Sequence, residues 1–358
     1  MRFVPVNCIR EGMVCGKALY GKGGELLLAK GFRLKPSLVD KIHEIGYNGL
    51  YVEDDLSRDI PAVEVINDNL KYKMVCGVRN AYMGLEMGGH PSPQTMKSLG
   101  DLIKTVVEDI CDNKGLMVNM VDLKVFDDYT FFHSVNVTVL SVLAGFSLGL
   151  HERDLYELGM GALLHDIGKA FIPKAILNKN GTLTPEEFEV MKTHPAQGAS
   201  YLERNFNLPA KTCMAVLQHH EKVDGSGYPA SLSGRSIGLF AKIIGVADVY
   251  DALTSDRPYR RALPPFEAME YVLGGGGSMF DRDVVSVFCR KIAPYPVGSC
   301  VRLSDGRLGI VLENYEETCL RPKIRIIKED KSSTQPCELN LSTDRQALAV
   351  TIIGLVDI

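Results

Sequence analysis

Histidine and aspartate are the residues best suited to chemistry in this sequence, and His165 and Asp166 stand side by side in the stretch LLHDIGK. An imidazole binds a single metal ion, whereas the two oxygens of a carboxylate can bridge two neighbouring ions. One such pair means little by itself, because a His-Asp pair near a helix end is more often a cap or a surface ion pair. The positions of the other histidines decide between these interpretations.

Further histidines and aspartates recur in ordered motifs on both sides of this pair. They are His133-Ser134, His194-Pro195, His219-His220-Glu221, Asp224-Gly225-Ser226-Gly227-Tyr228-Pro229 and Asp248-Val249-Tyr250-Asp251. Together with His165, these motifs contain five of the chain's 8 histidines, so chance clustering is a poor explanation. As metal ligands they would form two groups that share Asp166, namely His133, His165 and Asp248 with one of its oxygens, and His194, His219 and His220 with the other.

The composition of this ligand set indicates which metals and which reaction to expect. Imidazole nitrogens with one or two carboxylates suit iron, manganese, zinc or nickel, whereas magnesium and calcium prefer cages of oxygen ligands. Two metals roughly 3.5 to 4 Å apart can bind a bridging hydroxide, which is the nucleophile of phosphoester hydrolysis. The set therefore predicts metal-dependent cleavage of a phosphodiester or a phosphomonoester.

Ligands so far apart in sequence converge only on separate helices of a bundle that folds back on itself. Residues 124–293 read as consecutive helices, and Thr184-Pro185-Glu186-Glu187 has the N-cap, proline and acidic residues of a helix start. His219 and His220 should lie at a helix end, because adjacent residues differ by about 100° around a helix axis. The central segment is thus predicted to be all-α.

The remaining sequence divides into three accessory segments. Residues 1–58 alternate short apolar strands with one helix and predict a small α/β module, and residues 59–123 predict a helical linker region. Residues 294–358 contain several apolar strands and an Asp305-Gly306 turn signal, which predict a β-rich cap. The predicted fold class is mainly α, an all-α bundle at residues 124–293 with a small α/β module before it and a β-rich cap after it.

Composition narrows the class of protein further. The 358 residues, of which 46% are hydrophobic and 23% charged, are typical of a globular protein, and the net charge of -4 argues against a partner as polyanionic as a nucleic acid polymer. The 9 cysteines are scattered and odd in number, which favours a reducing cytoplasm over a disulfide framework. The N-terminus does not resemble a signal peptide, and the apolar stretch from Val135 to Leu150 is too short to cross a membrane.

The motifs together resemble those of the HD-GYP family, a branch of the HD-domain metal-dependent phosphohydrolases. The similarity covers about Tyr129 to Phe288 and rests on the motifs named above, together with Gly168-Lys169 and Ala252-Leu253-Thr254. It implies a cyclic di-GMP phosphodiesterase that opens its substrate to linear pGpG, and often continues to GMP, at an iron- or manganese-type centre. The residues alone predict only metal-dependent phosphoester hydrolysis; the dinucleotide substrate comes from the resemblance.

The resemblance also implies roles for individual residues. Its metal ligands would be His133, His165, Asp166, His194, His219, His220 and Asp248. Lys169 would contact the scissile phosphate or assist the leaving oxygen, and Asp251 would orient or deprotonate the bridging water. Arg257 and Arg260 suit a phosphate or a guanine edge, because guanidinium donors form a planar fork. Tyr228 is the remaining candidate for substrate binding, and Asp166, as the shared ligand, counts among the catalytic residues.

The glycine-rich motif from Asp224 to Pro229 predicts a shaped loop, because Gly225 and Gly227 permit backbone angles closed to other residues. The resemblance places this loop beside the metals, where it would shape the pocket and could bind GGDEF-domain partners. Some family members hold a third metal through a glutamate four residues before the first ligand, but here that residue is Tyr129. Two metals are therefore expected, with a third left open.

Two rival functions remain open from the sequence. One is a phosphohydrolase for another cyclic dinucleotide or a nucleotide, and the other is a non-catalytic receptor for cyclic di-GMP. A receptor has no need for Lys169 and Asp251 beside a complete set of metal ligands, which argues against the second rival. The sequence does not decide whether the protein is a homodimer or which signal the N-terminal module receives.

Overall fold

The computed structural model describes residues 1–20, 26–45, 49–55, 57–60, 65–86, 88–113, 117–119, 129–255, 262–328 and 337–356. The chain forms two compact units, one made of residues 1–64, 117–127 and 292–358, the other of residues 65–116 and 128–291. Helices dominate the described residues, which confirms the predicted mainly-α class. No described helix combines the length and the hydropathy required to cross a lipid bilayer.

The N-terminal part of the first unit is the predicted small α/β module. Its elements are β1 (Arg2–Pro5), β2 (Val14–Cys15), β3 (Leu19–Tyr20), β4 (Leu26–Leu28), α1 (Pro36–Ile45) and β5 (Gly49–Glu53). Strands β1 and β2 pair antiparallel with the two edges of β5, and β3 pairs with β4. A buried cluster that includes Val4, Leu34, Ile42 and Leu50 joins the helix to the sheet.

The C-terminal part of the same unit is the predicted β-rich cap. Its strands are β7 (Ile292–Ala293), β8 (Cys300–Leu303), β9 (Leu308–Glu313), β10 (Lys323–Lys328), β11 (Glu338–Asn340) and β12 (Ile352–Leu355), and β7 pairs in parallel with β6 (Val118–Asn119). The last five form an antiparallel sheet in the order β11-β10-β9-β8-β12. Gly306, with φ of 91°, makes the predicted turn between β8 and β9.

Direct contacts join the N-terminal and C-terminal parts of this unit. The Phe3 N–H donates to the Gly298 carbonyl at 3.3 Å, and the Arg325 guanidinium binds the Asp59 carboxylate at 2.6 Å. Ile60 packs in one buried cluster with Cys300 and Ile310. The four-segment division of the sequence stays a prediction, but the segments at the two ends of the chain are not independent of each other.

The second unit is a helical bundle. Its helices are α2 (Asp68–Glu86), α3 (Pro93–Asp112), α4 (Tyr129–Ser147), α5 (Glu152–Leu164), α6 (Lys174–Leu177), α7 (Pro185–Met191), α8 (His194–Asn205), α9 (Ala210–Gln218), α10 (Leu239–Thr254), α11 (Pro265–Gly274) and α12 (Arg282–Arg290). Thr184 begins α7 as predicted, because its hydroxyl accepts from the Glu187 N–H while the Glu187 carboxylate accepts from the Thr184 N–H. Such capping stabilises a helix by about 1 kcal/mol.

Helices α4 and α10 are apolar on nearly every face because both are surrounded by other helices of the bundle. Close packing depends on small residues. A Cβ added to Gly159 of α5 would come within 2.8 Å of Ile103 on α3 and within 3.2 Å of Val142 on α4. The bundle core is therefore tightly packed around the two helices that carry His133 and Asp248, which restricts the motion of both side chains.

Candidate metal centre

The predicted ligands are positioned by five helices of the bundle. His133 lies on α4, His165 and Asp166 directly follow α5, His194 is the first residue of α8, His219 and His220 directly follow α9, and Asp248 lies on α10. The helix end predicted for His219 and His220 is therefore observed. Because α9 stops at Gln218, both rings can turn toward the same site, and their centroids are 4.1 Å apart.

The structure brings all seven predicted ligands together in two groups. One group contains Asp166, His194, His219 and His220, and the other contains His133, His165 and Asp248; within each group, one potential ligand atom from every residue lies within 4.8 Å of the others. Every side chain in both groups is buried except that of His220, which is 23% exposed. Asp166 also lies near the other group, with its Oδ2 3.9 Å from the His133 Nε2 and 3.4 Å from the His165 Nε2.

The hydrogen bonds of three histidines leave one ring nitrogen of each directed into these groups. Each Nδ1 donates to the carbonyl oxygen three residues earlier: His165 to Ala162 at 2.7 Å, His194 to Met191 at 2.8 Å, and His219 to Val216 at 2.7 Å. This arrangement assigns the proton to Nδ1 and leaves Nε2 as a lone-pair donor. The same bond therefore orients the ring and selects its metal-binding tautomer.

Several atoms of the cluster are buried without a hydrogen bond. In the described part of the chain, Nε2 of His165, His194 and His219 and Oδ1 of Asp166 have no hydrogen-bond partner. An unsatisfied buried polar group costs roughly 1–3 kcal/mol, so several in one place indicate a ligand that satisfies them together. Lone pairs of three imidazoles and a carboxylate all fit a divalent transition-metal ion.

Asp251 supports His133. Its Oδ2 accepts from the His133 Nδ1 at 2.7 Å, and its Oδ1 accepts from the Asn136 amide at 2.9 Å. The Asp251 side chain is fully buried. The sequence-based prediction assigned this carboxylate to the reacting water, but in the structure its two oxygens hold a histidine and an amide. Its geometry is that of a positioning residue.

The electrostatics of the cluster favour a bound cation. Burial opposes a charge on His133, but its hydrogen bonds to Asp248 and Asp251 raise the pKa of this imidazole to about 9. Burial lowers the pKa of His220 to about 3 and that of His219 well below its ordinary value. Burial would raise the pKa of Asp166, but Lys169 and His165 outweigh it and keep this carboxylate ionised. Asp248, the carboxylate 3.1 Å from the His133 Nε2, would in the same way favour a metal ion in place of that proton.

Lys169 lies at the edge of the cluster, and its contact with a phosphate stays a prediction. Its ammonium binds Oδ2 of Asp166, and 26% of its side chain is exposed. It belongs to a 3₁₀ turn at Ile167–Phe171 that packs against the start of α8. A Cβ on Gly168 would lie 1.9 Å from the His194 carbonyl oxygen, so only glycine allows this approach. The glycine thereby brings Asp166 next to His194.

The glycine-rich loop lies beside the cluster. Gly225 has φ of 83°, and a Cβ on Gly227 would lie 2.3 Å from the Lys222 nitrogen, so both glycines are required by the backbone. The Tyr228 ring lies 4.7 Å from that of His220. Burial, with Asp248 and Asp166, raises the pKa of the Tyr228 hydroxyl. The loop therefore lies against His220 of the cluster, and its role in shaping the pocket stays a prediction.

Two supporting residues were not singled out from the sequence. Glu221 accepts from the Ala230 N–H at 2.7 Å and from the Leu232 N–H at 2.9 Å, which fastens the glycine-rich loop. Asn136 holds Asp251, as described above. Glu221 stands in the His-His-Glu motif, but only the folded structure shows which backbone groups it reaches.

Some sequence-based expectations concern residues that the structure does not describe. Arg257 and Arg260 lie at positions 256–261, outside the described residues. Nothing is described of the side chain of Tyr129, which stands where some family members have the glutamate for a third metal. The substrate contacts of the two arginines and the number of metals stay predictions.

Comparisons with known proteins agree with this geometry. Residues 106–284 match the family described as HD domain, and residues 300–355 match the family described as KOW domain associated with HD domain. A cyclic di-GMP phosphodiesterase of Pseudomonas aeruginosa is 32% identical over 388 residues, which cover 99% of this chain and 92% of that protein. A 3'3'-cGAMP-specific phosphodiesterase of Vibrio cholerae is 33% identical over 236 residues, which cover 65% of this chain and 48% of that protein.

A solved structure shares the fold. An HDG"Y"P protein from Bdellovibrio bacteriovorus aligns with a TM-score of 0.51 at 17% identity and covers 80% of this chain and 97% of its own. Similarity at this level of identity bears on the fold alone. The family match, the full-length relative and the motifs around the two ligand groups lead to one conclusion: the chain belongs to the HD-domain family, in its HD-GYP branch.

Proposed function

We propose that the protein is a metal-dependent phosphodiesterase that hydrolyses cyclic di-GMP to pGpG and onward to GMP. The observation that carries the proposal is the pair of buried ligand groups joined by the Asp166 carboxylate. The full-length relative from Pseudomonas aeruginosa, a cyclic di-GMP phosphodiesterase, supports the choice of substrate. The seven ligands predicted from the sequence would hold two divalent metals, with iron as the first candidate, manganese as the second and a third metal left open.

In this proposal the bound metals supply Lewis acidity and the nucleophile for phosphodiester hydrolysis. Asp166 lies within reach of His133 in one ligand group and of His194 in the other, so its carboxylate would hold both metals. Lys169 places its ammonium against the scissile phosphate and stabilises negative charge that develops there. Asp251 engages the His133 Nδ1, so that this imidazole directs its Nε2 into the site. Tyr228, Arg257 and Arg260 are proposed to contact the rest of the substrate.

The proposal also covers the location, the partners and the domain organisation of the protein. A cytoplasmic location agrees with the scattered cysteines, odd in number, and with the substrate, a bacterial second messenger. GGDEF-domain proteins are proposed partners through the glycine-rich loop, and a homodimer is the proposed assembly. The four domain segments at residues 1–58, 59–123, 124–293 and 294–358 remain part of the same proposal, with the catalytic chemistry confined to the third.

A substrate panel tests the proposed activity. Protein purified without air and reconstituted with iron or manganese should hydrolyse cyclic di-GMP faster than 3'3'-cGAMP, cyclic di-AMP or a mononucleotide, measured by chromatography of the products. Faster hydrolysis of 3'3'-cGAMP would favour the second candidate, which the 33% identical relative from Vibrio cholerae supports. Tight binding of cyclic di-GMP without products from any metal-loaded form would instead indicate a receptor.

A further inference from the structure

Three aromatic rings form a path from the metal-ligand cluster to solvent. The His220 ring lies 4.7 Å from the Tyr228 ring, and the Tyr228 ring lies 6.3 Å from that of Phe188 on α7. Phe188 is 46% exposed, although phenylalanine is usually buried. An exposed aromatic ring next to a buried polar site is more informative than an isolated surface residue, because it adds an apolar surface to the rim of that site.

The helix that carries Phe188 is short but well anchored. Its start is held by the capping box of Thr184 and Glu187, and the Lys179 ammonium binds the Glu187 carboxylate at 2.5 Å. Its end lies three residues before His194, a predicted metal ligand. The position of the Phe188 ring is thus coupled to that of the cluster by a short, structured segment.

Positive charge accompanies the ring. The Lys192 ammonium lies 5.3 Å from the centroid of the Phe188 ring, within the range of a cation–π contact. The same ammonium binds the Glu189 carboxylate at 2.5 Å. An aromatic ring with an ammonium beside it suits a ligand that combines a flat base with phosphate groups.

We propose that Phe188 is a substrate-positioning residue whose exposed ring stacks against a purine base of the phosphodiester substrate. This inference rests on the proposed function, since it assumes a phosphodiester bound at the ligand cluster, and it adds the site for the base. Any base can stack on an aromatic ring, so Phe188 contributes affinity and does not select one base. Tyr228 forms the inner end of the same aromatic surface. The reaction itself depends on the cluster.

Steady-state kinetics on metal-loaded protein provide the first test. Phe188→Ala should raise KM for cyclic di-GMP roughly five- to thirtyfold, the lower part of the range for base–aromatic stacking, because the ring remains partly solvated. We expect kcat to change less than about twofold, because stacking is made equally in the ground and transition states. Phe188→Tyr should restore KM, and Val190→Ala, on the same helix, should resemble wild type. A fall in kcat with unchanged KM would show that Phe188 only supports Tyr228 and would overturn the inference.

A fluorescence measurement tests the inference without turnover. The chain has no tryptophan, so Phe188→Trp introduces a unique reporter, and Val190→Trp, at a 36% exposed position of the same helix, is its control. GMP should quench emission from Phe188→Trp, whereas ribose 5-phosphate, which has the phosphate but no base, should leave it unchanged. Equal responses to both ligands, or no response to GMP, would refute base stacking. Absence of cyclic di-GMP hydrolysis in the wild type would contradict only the proposed function, since this quenching needs no reaction.

Discussion

Asp251 accepts a 2.7 Å hydrogen bond from Nδ1 of His133, across 118 positions of sequence. The pair joins α4 to α10 inside the bundle, and Asn136 holds the second carboxylate oxygen at 2.9 Å. A carboxylate in this position controls the orientation and the tautomer of the histidine that it supports. These contacts favour a role for Asp251 in orienting His133, a predicted metal ligand, whereas its role at the reacting water stays a prediction.

Replacing Asp251 with asparagine should weaken metal binding. The amide cannot accept from both His133 and Asn136 in the same way as the carboxylate, and we expect metal affinity to fall about 10- to 100-fold. Metal titration of the purified variant checks this, with the exposed Asp224→Asn as the control. Unchanged metal affinity with strongly reduced turnover would instead support the role at the reacting water that was predicted from the sequence.

Gly168→Ala should destabilise the protein and disturb the cluster. The added methyl group would lie 1.9 Å from the His194 carbonyl oxygen, so the backbone must move. We expect the free energy of unfolding to fall by about 2 kcal/mol or more, measured by urea denaturation. Gly274→Ala is the matched control, because no atom lies within 4 Å of the added group. Equal stabilities of the two variants would refute the close approach.

Glu221→Gln should loosen the glycine-rich loop. The carboxylate accepts from two backbone N–H groups, and an amide replaces one acceptor oxygen with a donor that faces one of them. The expected loss of stability is about 1–3 kcal/mol, accompanied by a higher KM for the substrate. Thermal unfolding and kinetics measure these effects, and the exposed Glu203→Gln serves as the control. Unchanged stability and unchanged KM in Glu221→Gln would show that the loop holds Tyr228 without this carboxylate.

The ion pair between Asp59 and Arg325 should contribute to acid stability. The hydrogen bond from Arg325 lowers the pKa of Asp59 to about 2 in the folded protein. A depressed folded pKa gives stability that is present above the unfolded pKa, about 3.9, and is lost as the pH falls toward 2. Asp59→Asn should therefore flatten the pH dependence of unfolding between about pH 4 and 2. If Asp59→Asn retains the wild-type pH profile, the pair contributes nothing to acid stability.

The ligand cluster could be predicted from the sequence because its chemistry lies in residue types. Histidine and aspartate in ordered motifs indicate metal binding wherever the chain places them, and adjacency alone predicts that His219 and His220 lie at a helix end. The start of α7 was equally readable from Thr184 and Glu187, because capping is local.

The supporting contacts could not be predicted because they depend on tertiary structure. Glu221 binds backbone N–H groups 9 and 11 residues later, and nothing in its type specifies them. The same holds for the contact between Phe3 and Gly298, which joins the ends of the chain. Hydrophobic patterns reveal elements within a segment but not which distant segments share a unit.

Metal analysis of the Asp166→Ala variant tests whether this carboxylate is needed to hold both metal ions. Protein purified without air should contain two metal ions per chain in the wild type and in Asp224→Ala, as counted by elemental analysis. Asp166→Ala should lose both metals together with all turnover of cyclic di-GMP, because it removes the ligand that both groups share. A variant that remains folded and retains two bound metals, or the wild-type turnover, would contradict the account.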